Sequence, residues 1–112
     1  MQYQQIHLSL LTDAGGDSYT FLGVPLGRAV EEGADSLAHS TSVEIYRTRE
    51  GLFIIYVSHR KKDGEIDFAD VGSTEELDLG SVRAALKEAE IYPGTVYSKA
   101  VYHSYNSLKE LE

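Results

Sequence analysis

Apolar and polar residues alternate at the start of the chain. Ile6, Leu8 and Leu10 are separated by His7 and Ser9 within Gln2–Leu11, the period of a half-buried strand. Asp13-Ala14-Gly15-Gly16-Asp17 is a cluster of turn formers. Ser18–Leu22, with Tyr19 and Phe21 on one face, predicts the returning strand of a hairpin. Gly23-Val24-Pro25-Leu26-Gly27 then interrupts the alternation, since proline donates nothing to a ladder and glycine permits sharp turns. Arg28–Ser40 is mixed and polar and reads as a loop with at most one helical turn.

A second hairpin carries the strongest pattern. Ser42–Thr48 and Leu52–Arg60 are rich in β-branched and aromatic residues, joined by Arg49-Glu50-Gly51. With Ile45 opposite Ile55, Val43 meets Val57 and Arg47 meets Phe53. Val43, Ile45, Phe53, Ile55 and Val57 then share one face. Tyr46, Leu52, Ile54 and Tyr56 share the other, with Glu44 and Ser58. Both faces are largely apolar, which predicts central strands covered on both sides. Asp63-Gly64 marks another turn, and Glu65–Val71 alternates Ile66 and Phe68 with acids as a further strand.

Helical spacing follows. Ser73-Thr74-Glu75-Glu76 matches a capping box, and Leu79, Val82, Ala85, Leu86 and Ala89 form a stripe. Gly80 weakens the start of that helix, and Tyr92-Pro93-Gly94 ends it. From Thr95, the stripe Tyr97, Val101, Tyr105 and Leu108 predicts a second helix. Its β-branched and tyrosine content leaves a strand over 95–110 as the alternative. The expectation is one α+β domain over 1–112: an antiparallel sheet of about five strands with C-terminal helices packed on one face.

Composition narrows the function classes. The 112 residues suffice for one domain that needs no disulfide or metal staple. Hydrophobic residues at 42% and charged residues at 25% exclude a disordered chain. The net charge is −8, which argues against direct nucleic-acid binding and against anionic membranes. No cysteine is present, so no disulfide, thiolate nucleophile or cysteine zinc site can form. The start, Met1 followed by glutamines, has no signal-peptide pattern, and no segment approaches a membrane span. The expectation is a cytoplasmic protein.

Recognisable chemistry is sparse. An EF-hand loop from Asp63 would need glycine sixth and glutamate twelfth, where the chain has Phe68 and Thr74. His7, His39, His59 and His103 lack metal-ligand spacing, no GxSxG elbow occurs, and Gly15-Gly16 sits in no phosphate-loop motif. The sequence therefore points to no metal and no cofactor. Two features stand out instead. Asp63, Glu65, Asp67, Asp70, Glu75, Glu76 and Asp78 place seven acids and no base in residues 63–78, and there are eight tyrosines against three phenylalanines and no tryptophan. Arg47, Arg49, Arg60, Lys61 and Lys62 make a smaller basic group near the ends of the central hairpin.

At this point the residues resemble a family. Phe21-Leu22-Gly23-Val24-Pro25-Leu26-Gly27, followed by the hairpin Val43–Val57 with its Tyr46-Arg47-Thr48 and Gly51-Leu52-Phe53, is similar to the sheet portion of small bacterial EXLDI-family proteins. Those show an F-x-G-x-x-L-G element and a Y-R-T-x-x-G-x-F hairpin. The likeness spans residues 18–60. Members carry an N-terminal ribbon-helix-helix-like segment, which this sequence does not show, and end in their naming motif. Here the nearest match, Glu75-Glu76-Leu77-Asp78-Leu79, is internal. The resemblance implies a bacterial or phage origin and an α+β core, and no activity.

Three functions are expected from these features. The first is a non-catalytic accessory, regulatory or inhibitory protein that binds a protein partner through Asp63, Glu65, Asp67, Asp70, Glu75, Glu76, Tyr97, Tyr102 and Tyr105. One version mimics nucleic-acid charge in a partner's basic groove. The second is a small-molecule-binding module or minor enzyme with a pocket beneath the helices lined by Tyr46, Ile54, Tyr56 and His59, where His59 or His103 would supply acid–base chemistry. The third is a structural homodimer, in which tyrosines pack at the interface.

Overall fold

The computed structural model describes residues 2–12, 15–32, 40–86 and 94–111. Five antiparallel strands and two helices follow in order: β1 (Gln4–Thr12), β2 (Gly15–Glu32), β3 (Ser40–Thr48), β4 (Phe53–Arg60), β5 (Ile66–Thr74), α1 (Leu79–Ala84) and α2 (Gly94–Leu111). The protein is α+β, with its helices on one face of the sheet. The sheet curls into a closed barrel in strand order, sealed where Leu11 of β1 meets Ala69 of β5. No helix among the described residues is long and apolar enough to cross a membrane.

The central hairpin takes the expected register: Val43↔Val57, Ile45↔Ile55 and Arg47↔Phe53. Gly51 at φ +91° supplies the left-handed residue of its turn. The Gly51 N–H donates to the Thr48 carbonyl at 3.1 Å, and the Leu52 N–H donates to Thr48 Oγ1 at 3.0 Å. Both faces are covered, as the double apolar pattern requires. On the outer face Val43, Ile45, Phe53, Ile55 and Val57 pack with Val82 and Leu86 and with Val96, Tyr97 and Ala100 of α2. Inside the barrel Leu8, Tyr46, Ile54, Tyr56 and Ala69 form a second cluster, flanked by Ile6, Leu10, Phe21, Ile66 and Val71.

Residues 23–32 depart from expectation. Gly23–Gly27 does not end the strand. β2 runs 18 residues through it, and Arg28–Glu32 continues the ladder instead of forming a loop. The break is absorbed as a bulge: Pro25 pairs Tyr46 and Gly27 pairs Ile45, which leaves Leu26 as the extra residue. A bulge bends its strand and removes one ladder bond, which suits a proline flanked by glycines. The bend serves closure. Gly23 pairs Gln4 on one side and Thr48 on the other, so β2 hands over from β1 to β3 at that residue. The remainder of the expected loop, 33–39, lies outside the described residues.

The expected capping box is also overruled. Ser73 and Thr74 belong to β5, paired with Ile54 and Phe53. The cap of α1 is Asp78, whose carboxylate accepts the Ser81 N–H at 2.8 Å and the Ser81 hydroxyl at 2.9 Å. α1 ends at Ala84, and Ala89 and the expected stop at Tyr92-Pro93 lie outside the described residues. Residues 95–110 are helical, as the first of the two readings expected.

Candidate functional site

The acids do not converge. Asp63 and Glu65 are exposed in the β4–β5 turn, Asp67 is exposed at the start of β5, Asp70 is half-buried at its middle, and Glu75 and Glu76 are exposed beyond its end. At a rise of about 3.3 Å per residue, β5 holds the two ends roughly 30 Å apart. The expectation of one concentrated carboxylate surface is thus corrected to two separate acidic ends with Asp70 between them. Local bonds occupy part of the set: Asp63 Oδ1 accepts the Glu65 N–H and Asp70 Oδ1 accepts the Val71 N–H, each at 2.9 Å.

The three α2 tyrosines also divide. Tyr97 is 0% exposed and lies in the outer core, so it is a packing residue and leaves the docking set. Tyr102 and Tyr105 are 66% and 49% exposed. The Tyr102 ring meets His103 edge-on at 5.7 Å, and Lys109 Nζ lies 4.8 Å from the Tyr105 ring centroid.

The expected pocket beneath the helices is not formed by Tyr46, Ile54, Tyr56 and His59. The first three point into the barrel, and the helices cover the opposite face. Strand alternation puts His59 on the side of Val57, away from the tyrosines. The two interior phenols are tied down. Tyr46 donates to Glu44 Oε2 at 2.6 Å, and Tyr56 donates to the Ser9 carbonyl at 2.7 Å. Burial, reinforced by the Glu44 hydrogen bond and charge, pushes the Tyr46 phenol far above its ordinary range. Burial also raises Tyr56, partly offset by Arg60. Both are held protonated, as fixed donors and not as proton-transfer groups at neutral pH.

A cleft does open, at a place the sequence did not mark. Pro25, Leu26, Gly27 and Arg28 of the bulge and Glu44, Ile45 and Tyr46 of β3 line an open hollow of about 230 Å³. Arg28 and Glu44 are cross-strand partners. Arg28 Nε lies 3.3 Å from Glu44 Oε1 and donates to Ser42 Oγ at 3.4 Å. Tyr46 alone of the expected pocket residues reaches this cleft. The signal available in the sequence was Pro25 between two glycines, which marks a bulge where the backbone re-aims side chains. The β2–β3 register that joins Arg28 to Glu44 had no such signal. Among the described residues no group of three or more histidines and carboxylates is placed to hold a metal ion.

No family model, curated protein or solved structure matches this chain, so the likeness of residues 18–60 to EXLDI-family proteins rests on its short motifs.

Proposed function

We propose that the protein is a non-catalytic accessory or regulatory factor that acts by binding another protein. The observation that carries this reading is the solvent side of α2, where Tyr102 and Tyr105 stand exposed three residues apart and therefore adjacent on the helix surface. Neither ring belongs to either core cluster. Exposed aromatic area of this kind is what partner-binding surfaces concentrate. The net charge of −8 and the exposed acids at both ends of β5 add a field that attracts a basic partner, including one whose groove binds nucleic acid. In this reading the phenol rings anchor and the carboxylates steer.

The test is affinity capture from the native organism, followed by binding kinetics of the captured partner. Tyr102→Ser with Tyr105→Ser should weaken binding at least tenfold, chiefly through faster dissociation. Asp63→Asn, Glu65→Gln and Asp67→Asn together should slow association and flatten its salt dependence. A partner whose kinetics ignore both sets of changes would remove the proposal. Light scattering separates it from self-association: a stable dimer lost in the tyrosine variant would mean that the second copy is the partner.

A further inference from the structure

The cleft at the β2 bulge has a charge arrangement that neither the core nor the α2 surface uses. Its polar wall is the Arg28–Glu44 pair, held in place from behind. Glu44 accepts from the Tyr46 hydroxyl through Oε2, and its Oε1 forms an ion pair with Arg28 Nε at 3.3 Å. Among the described residues Arg28 donates through Nε, to Ser42 Oγ. Its Nη1 and Nη2 form no hydrogen bond among the described residues, and its side chain is 63% exposed. That edge of a guanidinium is the one that grips a carboxylate with two parallel bonds. Glu44, 27% exposed, has about four lone-pair sites, and the one bond from Tyr46 leaves room for another donor.

The rest of the lining comes from Pro25, Leu26, Gly27, Ile45 and Tyr46; the Leu26 and Ile45 side chains are buried in the outer core, and Pro25 is the exposed apolar residue at the cleft. A hollow of about 230 Å³ is smaller than the roughly 300 Å³ at which drug-sized pockets begin, so it suits one small molecule. A simple anion would meet Glu44, and a simple cation would meet Arg28. A ligand carrying both charges close together satisfies both. We propose that this cleft is a binding site for an α-amino acid. Its carboxylate lies on the Nη1–Nη2 edge of Arg28, its ammonium on Glu44, and its side chain against the exposed Pro25. The cleft lies beside the bulge, where Leu26 is the extra residue of the β2–β3 ladder and Arg28 and Glu44 are the next pair but one.

The experiment is a titration of the full chain with L-leucine, followed by backbone amide chemical shifts. Leucinamide, which lacks the carboxylate, and N-acetyl-leucine, which lacks the ammonium, serve as comparison ligands. The expected result is saturable binding of leucine, with shifts centred on residues 26–28 and 44–46. Both derivatives, and both Arg28→Gln and Glu44→Gln, should bind at least tenfold more weakly. Arg28 is mostly solvent-exposed, so its variant keeps the test open if Glu44→Gln fails to fold. The proposal is overturned by non-saturable or displaced shifts, by equal binding of leucine and either derivative, or by full binding to a folded Arg28→Gln protein.

Discussion

Two tyrosines inside the barrel carry the clearest residue-scale consequences. Tyr46 and Tyr56 have phenols raised by burial, while in the unfolded chain they ionise near the ordinary value of about 10. A raised folded pKa contributes stability that is fully present below the unfolded value. That contribution is lost as the pH climbs toward the folded one. The melting temperature should therefore hold steady up to about pH 9, begin to fall near the ordinary phenol value of about 10, and go on falling as the pH rises further. Tyr46→Phe should shrink that fall, because its ring cannot ionise in either state. Tyr56→Phe should do so less, and should also lose about 1 kcal/mol at neutral pH with the bond to the Ser9 carbonyl, read by urea unfolding. Asp78 works in the opposite direction. Its carboxyl is lowered by the Ser81 backbone N–H and then by the Ser81 hydroxyl. Its contribution is present above the ordinary carboxylate pKa of about 3.9 and disappears as the pH falls through the lower folded value. Asp78→Ala should thus lower the melting temperature at neutral pH but converge with the parent protein in acid. Asp78→Asn, an equally good cap, should change little at neutral pH and lose the acid dependence.

At the scale of elements, the docking of α2 turns on Gly27. A Cβ there would come within 2.6 Å of the Ser104 backbone nitrogen and 2.5 Å of its Oγ. Gly27→Ala should cost about 1–3 kcal/mol, the usual range for overpacking. Adding Ser104→Gly should not restore the loss, because the backbone contact remains; a full rescue in thermal melts would place the helix elsewhere. This contact also explains which parts of the fold were legible. The β3–β4 hairpin was readable because its two apolar faces and its short glycine turn agree on one register. The second half of β2 was not, because Pro25 and its flanking glycines are a local stop signal, and only pairing with β3 turns them into a bulge. Ser73 and Thr74 have the chemistry of a cap, but tertiary pairing with β4 claims them first. In α2 the stripe through Tyr97, Val101 and Leu108 is inward. Tyr105, eight residues past Tyr97, has rotated about 80° out of it, whereas Ser104 at seven has rotated only about 20°, and Ser104 is the buried residue. The same limit applies to the cleft. Tyr46 could be singled out by type, but Arg28 and Glu44 become a pair only through a cross-strand register that neither residue announces.

For the whole molecule, charge sets a prediction of its own. Folding gathers eight net negative charges into a body with a radius of gyration of 13.6 Å, against roughly 34 Å for an unfolded chain of this length. At 0.01 M salt the screening length, about 30 Å, exceeds the folded radius, so carboxylates across the barrel repel one another. At 0.1 M it is about 10 Å, shorter than the body, and most of that repulsion is gone. Compaction therefore costs more at low salt, and the difference between the two conditions is on the order of 1 kcal/mol in water. The Arg28–Glu44 pair, which salt would weaken, offsets little of this, since it is mostly exposed on its arginine side and such pairs contribute about 0–1 kcal/mol. The melting temperature should rise from 0.01 to 0.1 M sodium chloride and then level off. Replacing Glu65, Glu75 and Glu76 by glutamine should raise the low-salt value and flatten the rise, because three of the net eight charges are then gone. A melting temperature that falls with added salt would mean that attractive pairs govern the folded state, and would count against the net negative charge as a field that steers a basic partner.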